Sequence, residues 1–97
     1  MISLKRKPTA PGEILSEEFL IPMGLTQAQF AQHIGCDVKV INRIVNEKVS
    51  MSAEMALKVG AALGTTPDFW LSAQKAVDLF TASQRLRRLP RLLKRVA

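Results

Sequence analysis

Donor-bearing side chains are concentrated at helical spacing near the middle of the chain. If residues 38–46 form a helix, five side chains, none of them acidic, share a face that spans about 140° around the helix axis. They are Val38, Lys39, Asn42, Arg43 and Asn46. Arginine or lysine can pair with guanine O6 and N7, and asparagine with adenine N6 and N7, which is how a helix reads the major groove. The face therefore predicts binding to duplex DNA.

A short turn presents this helix. Thr26 to Gln29 has the form of a capping box, so a preceding helix begins at Gln27. Gly35 ends that helix, and Asp37 is a good N-cap for the next. A turn this short forces a steep crossing, for which the small Ala31 leaves room. The spacing is that of a DNA-binding helix-turn-helix, its five positions being Gln27, Ala31, Gly35, Ile41 and Ile44.

Three further helices and no strand are expected, so the predicted fold class is all-α. The first starts at Pro11 and stops near Pro22 and Gly24. The next is capped by Ser52 and closes after Leu63, and the last begins after Thr66. The predicted core consists of Leu15, Phe19, Phe30, Ala31, Ile34, Ile41, Ile44, Val59, Leu63 and Phe69, with Ala31 as its tightest point.

The last predicted helix carries an apolar stripe beyond the part needed to cover the core. The stripe consists of Ala73, Ala76, Val77 and Phe80. An uncovered stripe of that length predicts the interface of a two-fold dimer. Such a dimer would place its two recognition helices about 34–36 Å apart, or a multiple of that, on a palindromic site.

The positive charge is unevenly distributed along the 97 residues, which suffice for one domain. The net charge is +6, and residues 1–84 contain equal numbers of acids and cations, so the surplus lies in the tail. Its cations are Arg85, Arg87, Arg88, Arg91, Lys94 and Arg95. Together with Lys5, Arg6 and Lys7 at the other end, they favour a polyanionic partner. We divide the chain into a basic arm (1–10), a helix-turn-helix domain (11–82) and a basic amphipathic tail (83–97).

The role of the tail is open at this stage. Pro90 interrupts a continuation of the last helix. Five apolar residues nevertheless recur near helical spacing among the cations, so residues 85–96 could form a basic amphipathic helix. They are Leu86, Leu89, Leu92, Leu93 and Val96. These residues would suit binding to an anionic membrane surface, to an acidic protein or to additional phosphates of the DNA.

Catalytic and metal chemistry are not expected. Cys36 and His33 are the only cysteine and histidine, too few for a disulfide or a four-ligand zinc site. The sequence shows no nucleophile–base pair and no glycine-rich phosphate loop. We therefore expect no enzyme activity and no cofactor. The apolar runs are too short for a membrane span, so a cytoplasmic, nucleoid-associated protein is expected.

The stretch from Leu25 to Leu71 resembles a known family of DNA-binding proteins. Its segments LTQAQFAQHIG, INRIVNEK and ALGTTPDFW are similar to those of the phage-repressor and Cro-like (XRE) helix-turn-helix family. The flanking PGEILSEEFLIPMGLTQ and FWLSAQKAVDL narrow the resemblance to the HigA antitoxins, also called virulence-associated protein I. The resemblance implies a five-helix, lambda-repressor-like domain, extended here by a longer last helix and the basic tail.

The resemblance also implies roles for individual residues and partners. Gln27 and Gln29 would approach the DNA backbone or outer bases, and Lys48 would contact a phosphate. The recognition positions would be Val38, Lys39, Asn42 and Arg43, and the family commonly has glycine where this chain has Glu47. Members are homodimers that bind a palindromic operator and neutralise a HigB-type mRNA endonuclease. The alternative is a stand-alone transcriptional regulator without a toxin.

Overall fold

The computed structural model describes residues 6–94, and in that range the chain forms five helices and no strand. The helices are α1, formed by an α-helical turn Pro11–Ile14 and a π-helical segment Leu15–Leu20, then α2 (Gln27–Ile34), α3 (Val38–Val45), α4 (Ala53–Leu63) and α5 (Pro67–Arg85). The predicted all-α fold is confirmed. Lys5, Arg95 and Val96, assigned above to the arm and the tail, lie outside the described residues.

Side-chain caps begin the last four helices where the sequence predicted. Thr26 forms the capping box with Gln29, and Asp37 accepts a hydrogen bond from the backbone N–H of Lys39 at 2.8 Å. Ser52 and Thr66 cap α4 and α5 in the same way. Each cap satisfies a backbone donor that the first helical turn leaves unpaired.

The first helix departs from the expected regular α-helix, because its second half winds as a π-helix. The backbone N–H of Ile21 donates to the carbonyl of Ser16, five residues back, at 3.0 Å. In an α-helix, residues five apart are rotated by about 140° from each other. The wider winding lets Leu15 and Leu20 both lie in the core, where they are almost completely buried.

Most of the predicted core is confirmed. Six of the ten residues are buried: Leu15, Phe30, Ala31, Ile41, Ile44 and Val59. Phe19, Ile34 and Leu63 are partly buried and pack against them. The buried hydrophobic side chains that the sequence reasoning did not include are those of Ala10, Leu20, Met51, Met55, Ala56 and Trp70.

The assignment of Phe69 to the core is wrong. Its side chain is 43% exposed, whereas the adjacent Trp70 is fully buried. The indole N–H of Trp70 donates to the Thr65 hydroxyl at 2.6 Å, and its ring packs against Phe19 and Phe69. Successive helical residues point about 100° apart, so only one of the pair can face the core. Trp70 takes that place, and the Thr65 hydroxyl satisfies its only polar atom.

A close approach of two helices occurs at Gly12, which the sequence reasoning overlooked. A Cβ added there would lie 1.9 Å from the carbonyl oxygen of Ile44. The first turn of α1 therefore rests directly on the backbone at the end of α3. Ala31 is buried as expected, but Gly12 is the residue whose lack of a side chain lets α1 contact the end of α3 this closely.

Beyond α5 the chain is not helical. Residues 86–94 are described and contain no helix, so the amphipathic helix considered for residues 85–96 is absent over that range. Leu92 and Leu93 are almost fully exposed, which means that no core holds this segment. Pro90 explains the result, since proline removes a helical hydrogen bond and restricts the residue before it. Among the described residues, no helix has the length and apolarity needed to cross a membrane.

Candidate nucleic-acid interface

Helix α3 has one buried and one exposed face, as the sequence predicted. Ile41 and Ile44 are buried against the core. All five residues of the predicted reading face, Val38, Lys39, Asn42, Arg43 and Asn46, are exposed. The exposed face carries ammonium, guanidinium and amide donors with no acid among them. It has the donors and the shape that a helix needs to enter a major groove.

Helices α2 and α3 are linked by side chains as well as by their apolar contact. The Nδ2 of Asn42 donates to the Oε1 of Gln27 at 3.2 Å. This bond joins the first turn of α2 to the centre of the exposed face of α3. Asn42 still has its Oδ1 and a second N–H to offer to a base. Gln27 therefore orients Asn42, a role that its predicted backbone contact did not include.

The side chains of two other predicted site residues form hydrogen bonds to the backbone at helix ends. The Oε1 of Gln29 accepts the backbone N–H of Thr26 at 2.9 Å, so only its amide N–H groups are available. The Nδ2 of Asn46 donates to the carbonyl of Asn42 at 2.9 Å, which closes α3. These bonds fix both side chains at the edge of the exposed face and limit what each can donate or accept.

The loop after α3 contains an unusual backbone conformation. Glu47 has φ +57°, in the left-handed region that favours glycine. The backbone N–H of Lys48 then donates to the carbonyl of Arg43 at 2.8 Å. This turn reverses the chain at the end of α3, so exposed Lys48 follows directly on the exposed face. Glutamate at this position thus adopts a backbone conformation that glycine adopts without steric cost.

The arm is attached to this loop. The Nζ of Lys7 lies 2.6 Å from the Oε1 of Glu47, and both side chains are partly exposed. Lys7, Glu47, Lys48, Val77 and Arg85 line part of a groove of about 340 Å³, which we call the arm groove. It runs between the N-terminal arm, the α3–α4 loop and the second half of α5. Exposed ion pairs of this kind contribute at most about 1 kcal/mol to stability, so the pair positions the arm more than it stabilises the fold.

The residues predicted for a dimer interface are half-buried within one chain. At 100° per residue, Ala73, Ala76 and Phe80 share an arc of about 60° on α5, and Phe69 falls within it. Val77 lies outside that arc and lines the arm groove. The apolar face of α5 is thus made by Phe69, Ala73, Ala76 and Phe80. Val77 instead contacts the arm groove of its own domain.

Gln74 connects α5 to the loop before α4. Its Oε1 accepts the backbone N–H of Met51 at 2.8 Å, and its Nε2 donates to the Oδ1 of Asp78 at 2.9 Å. Met51 is buried, so this backbone donor depends on Gln74. The link fixes α5 relative to the segment between α3 and α4, and no motif in the sequence indicated it.

Cys36 and His33 show no sign of a reactive site. His33 is exposed on α2. Burial raises the pKa of the Cys36 thiol, with nearby Lys58 opposing and Asp37 reinforcing the shift. A raised pKa leaves less thiolate at neutral pH, which makes the thiol a weaker nucleophile. Residues 6–94 contain no cluster of side chains suited to holding a metal ion.

Comparison with known proteins agrees with this geometry. A family model described as helix-turn-helix matches residues 17–70, which span α2, α3 and α4. Antitoxin HigA-1 of Vibrio cholerae is 42% identical over 85 residues, which cover 88% of this chain and 80% of that protein. The chain belongs to the HigA-type antitoxins of the helix-turn-helix family. The resemblance read from the sequence is confirmed.

Solved structures of HigA-type proteins have the same fold. The Pseudomonas aeruginosa antitoxin HigA, solved with the higBA promoter, matches with a TM-score of 0.80 and 33% identity over 89% of this chain and 99% of that one. The antitoxin GraA, solved in complex with its operator, matches with a TM-score of 0.81 and 37% identity over 97% of this chain and all of that one. Both relatives bind DNA. These matches extend well beyond the helix-turn-helix itself.

Proposed function

We propose that this protein is a DNA-binding antitoxin that represses its own operon. The observation that carries the proposal is the face of α3, where five exposed residues without an acid stand opposite a buried apolar face. The HigA and GraA structures solved with promoter and operator DNA support the same activity here. The protein acts by binding, in the cytoplasm at the nucleoid, and not by catalysis.

Base reading is assigned to the centre of the exposed face. Arg43 pairs with guanine and Asn42, oriented by Gln27, pairs with adenine. Lys39 and Val38 contact neighbouring bases, the latter through the thymine methyl group. Lys48 holds a backbone phosphate, while Gln29 and Asn46 contribute the donors that their capping bonds leave free.

We assign the dimer interface to α5. Ala73, Ala76 and Phe80 form the seam, with Val77 at its edge, and Phe69 extends it toward the start of the helix. Ala76→Glu should yield a folded monomer in sedimentation, because two like charges would be desolvated across the two-fold axis. The neighbouring Lys75→Glu introduces an acid outside the seam and should leave the dimer intact. An Ala76→Glu protein that stays dimeric would place the interface elsewhere.

The toxin partner is a HigB-type mRNA endonuclease encoded beside this chain. Expression of the adjacent reading frame alone should stop growth, and co-expression of this chain should restore it. If expression of the adjacent reading frame does not affect growth, the stand-alone regulator is favoured.

Selection from a random-sequence duplex library tests the DNA-binding proposal directly. The wild-type protein should enrich a two-fold symmetric motif, because a symmetric dimer presents two identical α3 helices. Recovery of sequences without a common motif would contradict sequence-specific binding.

A further inference from the structure

The cations of the N-terminal arm, the α3–α4 loop and the end of α5 meet at one place. Lys7, Lys48 and Arg85 are far apart in sequence, yet all three line the arm groove. Two acids, Glu47 and Asp78, also line it. The Lys7–Glu47 contact is the only ion pair within residues 6–94, so Lys48 and Arg85 have no acidic partner there.

The Lys7–Glu47 pair fixes where the arm lies. Glu47 lies two residues after the last residue of α3. Because the Nζ of Lys7 is 2.6 Å from Glu47 Oε1, Lys7 is held beside the end of that helix. Arg6, which immediately precedes Lys7 in the chain, is exposed. The arm thus brings an exposed arginine, adjacent in sequence to Lys7, to the side of the domain where Lys7 and Lys48 line one groove.

Glu47 explains why an arm cation is needed at this point. Glu47 lies between α3 and Lys48 in the chain, and an unpaired carboxylate there would repel a phosphate held by Lys48. Its backbone lies in the left-handed region, which residues other than glycine rarely adopt. Pairing with Lys7 cancels its charge and at the same time holds the arm.

We propose that the N-terminal arm is a second DNA-contacting element, in which Arg6 binds a backbone phosphate beside the one held by Lys48, while Lys7 secures the arm and neutralises Glu47. The inference rests on the proposed DNA-binding function. Its partner is the phosphate backbone of duplex DNA, so the arm adds affinity without adding base preference.

Salt-dependent binding of the full-length protein tests the arm. The probes are a duplex selected by the wild-type protein and a duplex of random sequence, each titrated over a series of salt concentrations. Arg6→Gln should weaken binding to both duplexes by the same factor and lower the slope of log K against log salt by about one. Lys7→Gln should weaken binding more than Arg6→Gln, because it also leaves Glu47 uncompensated. The double variant Lys7→Gln/Glu47→Gln should bind more tightly than Lys7→Gln alone.

The matched control is Lys75→Gln, which removes one exposed cation that does not line the arm groove. If Arg6→Gln changes the slope no more than this control, the arm does not contact DNA. If neutralising Glu47 gives no recovery in the Lys7→Gln background, Lys7 does not act through Glu47. Arg43→Ala separates this inference from the proposed function: specific binding that is lost in Arg43→Ala but unaffected in the arm variants overturns the inference alone.

Discussion

Gly12→Ala tests how α1 supports the recognition helix. The added Cβ would lie 1.9 Å from Ile44 O and 2.6 Å from Ile44 C, whereas ordinary contact begins near 3.4 Å. The two helices would therefore have to separate by about 1.5 Å, against backbone that cannot rotate away. Overpacking of this kind costs about 1–3 kcal/mol.

Whether Gly12→Ala lowers or raises the stability distinguishes the clash from the higher helix propensity of alanine. Replacing glycine by alanine inside an unconstrained helix stabilises it by about 0.5–1 kcal/mol. We expect the clash to dominate and the melting temperature to fall by roughly 4–20 °C for a domain of this size. Ile44 O also accepts the backbone N–H of Glu47 at 3.1 Å, so the loop that carries Lys48 should shift and DNA affinity should fall as well.

Thermal melts at one fixed protein concentration provide the measurement, since the proposed dimerisation would make the melting temperature depend on concentration. Glu13→Ala, an exposed position on the same turn, is the control and should change the stability by less than about 0.5 kcal/mol. A Gly12→Ala protein that melts at or above the wild-type temperature would refute the close approach of α1 and α3.

Three further predictions concern single residues. Gln74→Leu should lower the free energy of unfolding by about 1–3 kcal/mol because it leaves the backbone N–H of buried Met51 unpaired. The control Asp78→Asn should lower it by less than about 0.5 kcal/mol, and equal melting temperatures for the two variants would contradict this role of Gln74. Glu47→Gly should have a free energy of unfolding up to about 1 kcal/mol higher than Glu47→Ala, since both variants lose the Lys7 pair and only glycine adopts positive φ without strain. A Glu47→Gly protein no more stable than Glu47→Ala in denaturant titration would argue against strain there. Cys36 should react with iodoacetamide more slowly than a free cysteine at neutral pH and faster as the pH rises toward its raised pKa; an equal rate in the folded and guanidinium-unfolded protein would exclude that shift.

The helix boundaries could be predicted because short-range chemistry determines them. Thr26, Asp37, Ser52 and Thr66 each cap a helix through a bond that spans two or three residues. The exposed and buried faces of α3 likewise follow from helical periodicity within one segment. Structural features that depend only on residues close in sequence can therefore be predicted from the sequence.

The remaining features depend on contacts between residues far apart in sequence. Gly12 against Ile44, Gln74 against Met51 and Lys7 against Glu47 are separated by 20 to 40 residues. No local pattern distinguishes Phe69 from Trp70 either, because both are large aromatic residues in the same helical turn. Which of them is buried depends on the positions of Phe19 and Thr65 in the folded chain.

The central claim is that α3 reads DNA through Arg43 while Lys48 only holds the backbone. Binding of wild-type, Arg43→Ala and Lys48→Ala proteins to the selected duplex, and to variants changed at each base pair, measures it most directly. Arg43→Ala should lose about 1–3 kcal/mol on the selected duplex and relax the preference at one base pair of each half-site. Lys48→Ala should weaken all duplexes alike and lower the salt slope by about one. Unchanged affinity and base preference in Arg43→Ala would contradict the account.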